Sequence, residues 1–257
     1  MSATSTTSMI TAPGEPVRST NTSAAPAVSP FAHELTLCRL AAAAACLALA
    51  ALMVGGVAMA LTTRPGASSA DVLAAIGANP WPYVAGGVGL TLVSLFDIFT
   101  IPALHTTLGR HGPVLIVLAS ATAIIGDLLG IIGRLAQTAL VPVGLHTAGS
   151  PGTEQLAAGQ VLDVLDTTIN TAGFLLVSVS FTSFGLLMLR GFSRPIGLIA
   201  IVAGLFTLLG QIPPLSPLFM VANVAYIGWY VGIGCRFRRE VRQHRSSAPP
   251  PGPSSPA

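Results

Sequence analysis

The chain has 257 residues, 52% of them hydrophobic and only 8% charged, against roughly 25% charged residues in a soluble domain. Such a chain cannot cover a water-facing surface, and its apolar residues fall in long blocks, so its solvent is mostly lipid. All twelve of its cations are arginine, which excludes a Schiff-base lysine and a P-loop lysine; with many Ala, Gly and Pro, this bias points to a GC-rich, bacterial source.

In chain order, residues 1–35 are expected to be a disordered Ser/Thr/Ala/Pro-rich tail, because they cannot bury a core. Residues 36–240 read as an all-α transmembrane domain, a bundle of six helices. Its apolar blocks lie near residues 38–61, 82–105, 113–141, 168–190, 195–212 and 216–235. Each reaches the ~17–25 residues that a spanning helix needs. The first block ends in an Ala-x-Ala at Ala60, like a signal peptide. Its apolar run is too long for one and the region before it is too long as well, so an uncleaved first span is expected. Residues 241–257 are basic, then Pro/Ser-rich, and read as a second disordered tail.

Between the first two blocks, "SSADVLAAIGANPWPY" predicts a short helix. Ser68 or Ser69 caps it, Asp71 sits in its first turn, and Gly77 and Pro80 stop it. Trp81 and Tyr83 then mark a membrane interface. The longest loop, residues 150–166, predicts another short helix. Asp166 with "TTIN" behind it reads as an N-cap opening the fourth span.

The arginines set the orientation. With six alternating spans, Arg18, Arg39, Arg110, Arg190, Arg194 and the five between Arg236 and Arg245 all fall on one side. The other side receives only Arg64, and Arg134 is embedded. Both termini are therefore expected in the cytoplasm, with the protein in the bacterial cytoplasmic (inner) membrane. The cluster "CRFRREVRQHR" directly follows an apolar segment. It reads as an anchor to anionic lipid rather than a nucleic-acid surface. The three cysteines have no CxxC or Cys/His spacing and read as small apolar fillers.

With the spans placed, the chain resembles a bacterial family known as domain of unknown function 4386. The likeness covers most of residues 38–239. It rests on "ADVLAAIGANP" before the second span, "FDIFTIPALHTTL" within it, and "GLLMLRGFSRPIGLIAIVAGL", where one span ends, turns at basic residues and resumes. The resemblance implies an integral membrane protein of unassigned activity. It carries over no catalytic residues.

Enzyme motifs are absent. "HELTL" at His33 lacks the second His of HExxH, and neither GxSxG nor Walker A occurs. No enzyme activity, cofactor or metal is expected. The candidate residues are polar groups inside the spans, where a carboxylate at a helix centre costs at least ~2.5–3.5 kcal/mol and faces the bundle interior or water. Asp97 lies fifteen residues into the second span, roughly 22 Å along it, and Asp127 fourteen residues into the third, roughly 21 Å from the other side. They are expected at different depths, Asp127 nearer the outside, and not as a touching pair. Arg134 is two turns beyond Asp127. It can snorkel to the outer headgroups or bend back to that acid.

Gly126 and Gly130 form GxxxG, extended by Gly133, a small-residue groove for close helix packing. Pro102 frees the carbonyl of Ile98 beside Asp97, and His105 lies eight residues below Asp97 on nearly the same face. Asn170, Ser178 and Thr182, then Asn223, Tyr226 and Tyr230, recur at helical spacing, and Gln211 ends the fifth span. Two readings stay open. The first is a non-enzymatic structural or regulatory protein acting through helix packing, with a protein partner or as a homo-oligomer. The second is a small proton- or cation-coupled transporter, with Asp127, Asp97 and His105 as inward steps.

Overall fold

The computed structural model of the chain describes residues 30–62, 68–146 and 152–246. Most of both expected tails, residues 1–29 and 247–257, lies outside them, as do Arg18 and Arg64. The described residues are almost entirely helical: α1 (Pro30–Thr62), α2 (Ser69–Ala78), α3 (Trp81–Leu108), α4 (Pro113–Thr138), α5 (Leu140–Leu145), α6 (Thr153–Gly191), α7 (Arg194–Gly210) and α8 (Leu218–Ser246). Five helices, α1, α3, α4 with α5, α6 and α8, are long and apolar enough to cross a membrane, while α7 is a shorter apolar helix. A helix satisfies its own backbone groups, which makes it one of the few ways for a chain to traverse hydrocarbon.

The local boundaries follow the chemistry of the residues. Ser68 caps α2: its hydroxyl accepts from the Asp71 amide at 3.2 Å, and the Asp71 carboxylate accepts from the Ser68 amide at 3.0 Å. That reciprocal pair satisfies two amides that a helix start leaves without partners. Pro142 has no N–H to give the carbonyl of Thr138, the last residue of α4, and α5 begins after that break. Pro102 is carried inside α3 without ending it.

Two expectations are corrected. α6 runs unbroken from Thr153 to Gly191, so Asp166 is a mid-helix residue and not an N-cap, and the short helix expected within residues 150–166 is not separate but forms the first turns of α6. No Gly or Pro stands between Gln160 and Ala172 to interrupt the helix. α1 begins at Pro30, before the residue 36 expected for the bundle. α8 continues to Ser246, so the Arg cluster rides on its last turns. Arg236 there pairs with Glu240 at 3.2 Å and lies over the Phe192 ring, 5.2 Å from its centroid.

The six long helices form a closed ring of neighbours: α1 beside α3, α3 beside α4, α4 beside α6, α6 beside α7, α7 beside α8, and α8 back beside α1. Each neighbouring pair is antiparallel. Gly55 meets Gly89 where α1 crosses α3, Gly126 meets Gly173 where α4 crosses α6, and Gly185 meets Gly197 where α6 crosses α7. Cys38 and Cys46 of α1 meet Glu240 and Arg238 of α8, which closes the ring at the end holding both described termini. Lipid tails are as apolar as leucine, so small residues that let backbones approach supply much of the attraction between such helices.

The main core, with Leu104, Leu187, Met188, Ile233 and Phe237, fills the half of the ring near the termini. A smaller cluster of Leu73, Ile76, Tyr83 and Leu140 binds α2 and α5 at the far end. Large side chains such as Val114, Met220 and Val224 are exposed on the outside of the ring, where hydrocarbon would meet them.

Candidate functional site

Within the ring lies a half-open cavity of about 620 Å³, lined by residues of α1, α3, α4, α6 and α8. At its closed end, toward the termini, stand the two intramembrane acids. The Tyr230 hydroxyl donates to Asp97 Oδ2 at 2.7 Å. Asp127 is buried, and its hydrogen-bond partner is the Ser94 side chain. Ser94 and Asp97 are one turn apart on α3, so that helix offers its own carboxylate and a donor to the carboxylate of α4. Asp97 lies eleven residues from the Leu108 end of α3 and Asp127 fourteen residues from the Pro113 end of α4. Their depths thus differ by about 4.5 Å, close to one turn. The expected order of depth holds along the helices, yet the two acids share one cavity. No hydrogen bond joins them among the described residues.

Below the acids the bundle closes. Phe181, Phe184, Trp229 and Leu104 surround a gap of about 20 Å³. The Phe181 ring sits edge-on to Tyr226 at 4.8 Å and against Trp229 at 5.1 Å. His105 is not brought to the cavity. It is exposed, and its Nδ1 pairs with Ser120 Oγ at 3.1 Å. The inward series expected from spacing therefore stops at Asp97, because Pro102 and His105 turn to the outside of the ring.

At the far end of the cavity lies a second polar group. Arg134 donates to Gln137 Oε1 at 3.1 Å, and the Asp166 carboxylate of α6 attracts it through space. Asn170 donates to Asp166 Oδ1 and lies directly over Gly133. Gln137 is buried and donates to Met59 Sδ at 3.4 Å. Arg134 thus bends toward α6, away from Asp127. Asn223 of α8 lines the same cavity from an exposed position. Tyr226 shares a hydrogen bond of 2.8 Å with Thr207 of α7.

The small-residue groove is occupied from within the chain. Gly126 faces Gly173 of α6, Gly133 faces Asn170 of α6, and Gly130 faces Ser94 of α3. Sequence reasoning placed Asp97, Asp127, Arg134 and Asn223 and their relation to the spans, but it missed three partners: Tyr230 for Asp97, Ser94 for Asp127, and Asp166 for Arg134. Only the last left a signal, the i,i+4 spacing of Asp166 and Asn170 on an uninterrupted helix.

The donor set limits the chemistry. Two carboxylates and hydroxyl donors line the closed end. Among the described residues no group of three or more His, Cys, Asp or Glu is arranged to hold a metal ion.

These features define a membrane-embedded protein, helical throughout its described core, with a mostly apolar cavity in its bundle that carries polar groups at its two ends. The chain belongs to the family described as domain of unknown function (DUF4386), whose model matches residues 41–235. No curated protein and no solved structure matches it.

Proposed function

We propose that this chain is a small proton- or cation-coupled transporter, non-enzymatic, with Asp97 and Asp127 on the pathway. One observation carries the reading: a single cavity of about 620 Å³ reaches both carboxylates. Two carboxyl groups inside the bundle, Asp127 buried and Asp97 half-buried, are held there as neutral acids or beside a positive charge. Among the described residues that line the cavity the one cation is Arg134, two turns from Asp127 and turned toward Asp166. The compensating charge therefore comes from outside the chain, as a proton or a cation. Gly126 and Gly133 pack against α6, so that face of α4 serves packing within the bundle.

The topology that accompanies this reading is six spans with both termini cytoplasmic, in a bacterial cytoplasmic membrane. α7 supports the sixth span. Its 17 residues extend about 25 Å, the lower end of what a spanning helix needs, which fits one standing nearly upright. It also runs antiparallel between α6 and α8, which both run toward the termini. The Arg cluster of α8 then lies at the inner leaflet, against anionic lipid. Reporter fusions at residue 20, in the loop at residue 150 and after the last residue should read inside, outside and inside. An outside amino terminus with the other two unchanged would remove the six-span arrangement.

The function is tested in liposomes holding a pH-sensitive dye, with an imposed proton or sodium gradient. Wild-type protein should dissipate at least one gradient. Asp127→Asn should fold to the same helical content and melting temperature in detergent, yet lose that flux, because an amide cannot exchange a proton or balance a cation. Flux that persists unchanged in a well-folded Asp127→Asn protein would sink the proposal, as would a wild type that moves neither ion.

A further inference from the structure

Resting on that reading, we propose that the cavity takes an organic cation with an apolar, aromatic-sized body, held with its charge at Asp97 and Asp127. A hydrated inorganic ion does not need this space. Sites for drug-sized ligands occupy roughly 300–1,000 Å³ and are mostly apolar with a few placed polar groups. This cavity, at about 620 Å³, lies within that range. Its walls between the two polar ends are side chains such as Leu52, Val93, Val177 and Ile227, with Phe174 and Phe219 toward the far end. Those two rings meet edge-to-face at 5.6 Å, and Phe181 and Tyr226 form a second edge-to-face pair beside the acids. Aromatic faces attract cations, more strongly once water is excluded.

A hard divalent ion, by contrast, asks for about six or more oxygen ligands. Here the acids already accept hydrogen bonds from Tyr230 and Ser94, and most of the remaining wall is hydrocarbon that cannot replace a hydration shell. A cation whose charge is spread over an organic framework loses less hydration on entering. Its body also buries apolar surface against the walls. The polarity of the cavity is therefore laid out for an amphipathic guest: charge at the closed end, apolar contact along the length.

Gly56 offers a separate handle on volume. It lines the cavity, and a Cβ built there meets no atom within 4 Å. Gly56→Leu would fill space and leave both carboxylates in place.

The test uses the full chain in detergent, with tetraphenylphosphonium as the probe, read by equilibrium dialysis against empty micelles. Binding should be saturable at one site per chain. Asp97→Asn and Asp127→Asn should each weaken it about tenfold or more, and Gly56→Leu by a similar factor. A hundredfold excess of sodium or magnesium should displace little of it. Saturable binding lost in Gly56→Leu and in either Asn variant supports the inference. Binding that survives all three variants is partition into the micelle or another surface, and overturns it. Protein that dissipates an ion gradient but shows no saturable binding overturns the ligand class and leaves the transport reading standing. Absence of both flux and binding removes the two together.

Discussion

Gly126→Leu should prevent the bundle from assembling. At this position α4 and α6 cross so closely that a Cβ would lie 2.8 Å from Val177 Cγ2, 3.0 Å from the Gly173 carbonyl oxygen and 3.1 Å from the Val177 amide nitrogen. Two of those three atoms are backbone and cannot rotate away. The contact is reciprocal, because a Cβ on Gly173 would lie 3.0 Å from the Gly126 carbonyl oxygen. Overpacking by single methylenes costs about 1–3 kcal/mol. Four added carbons against a facing backbone should exceed that range, even after the ~1 kcal/mol gained in helix propensity. Gly126→Ala should show the smaller cost. In detergent, the Leu variant should melt far below wild type or elute as aggregate, while Gly56→Leu, with open space at its Cβ, should behave as wild type. Equal melting temperatures for Gly126→Leu and wild type would mean that α4 and α6 are not in contact there. The prediction bears on function too, since Gly126 and Gly173 both line the cavity and a wider crossing changes its shape.

The spans were legible because apolar length is read directly from residue order, and so was α2, whose Ser68 and Asp71 carry their capping chemistry at a fixed spacing. Asp166 misled for an instructive reason. Asp followed by Thr, Thr, Ile and Asn has the residues of a helix start, and the same residues also fit mid-helix when a bundle surrounds them. The absence of any Gly or Pro from Gln160 to Ala172 favoured continuity and was the better guide. Depth along a helix could be estimated for Asp97 and Asp127, but rotation about the helix axis could not. Whether two acids on neighbouring helices face one cavity is decided by rotation. The Tyr230 to Asp97 hydrogen bond links residues 133 positions apart. It exists because α8 returns to α1 and closes the ring, a long-range event with no local pattern in either helix.

Arg134 and Asp166 should behave as a coupled pair, and Arg134 and Asp127 should not. Both members of the first pair are half-buried. Their attraction acts through space, with no direct ion pair between them among the described residues, so its worth should stay near the ~0–1 kcal/mol of loosely held pairs. About 1 kcal/mol is expected for Arg134→Gln, which removes the nearby positive charge while the Asn170 amide still donates to the Asp166 carboxylate. Asp166→Asn should cost a similar amount, because the guanidinium keeps Gln137 but loses its attracting charge. The double variant should cost less than the sum, with a coupling of about 0.5–1 kcal/mol, as members of one polar network show. Combining Arg134→Gln with Asp127→Asn should instead be additive within ~0.5 kcal/mol, since those two side chains serve opposite ends of the cavity. Melting of the six proteins in one detergent decides the matter. A guanidinium that only reaches lipid headgroups would make Asp166→Asn neutral and erase the first coupling. A coupling between Arg134 and Asp127 larger than that with Asp166 would mean that the arginine turns inward, and it would supply the closed end with the positive charge that the transport reading assigns to a ligand.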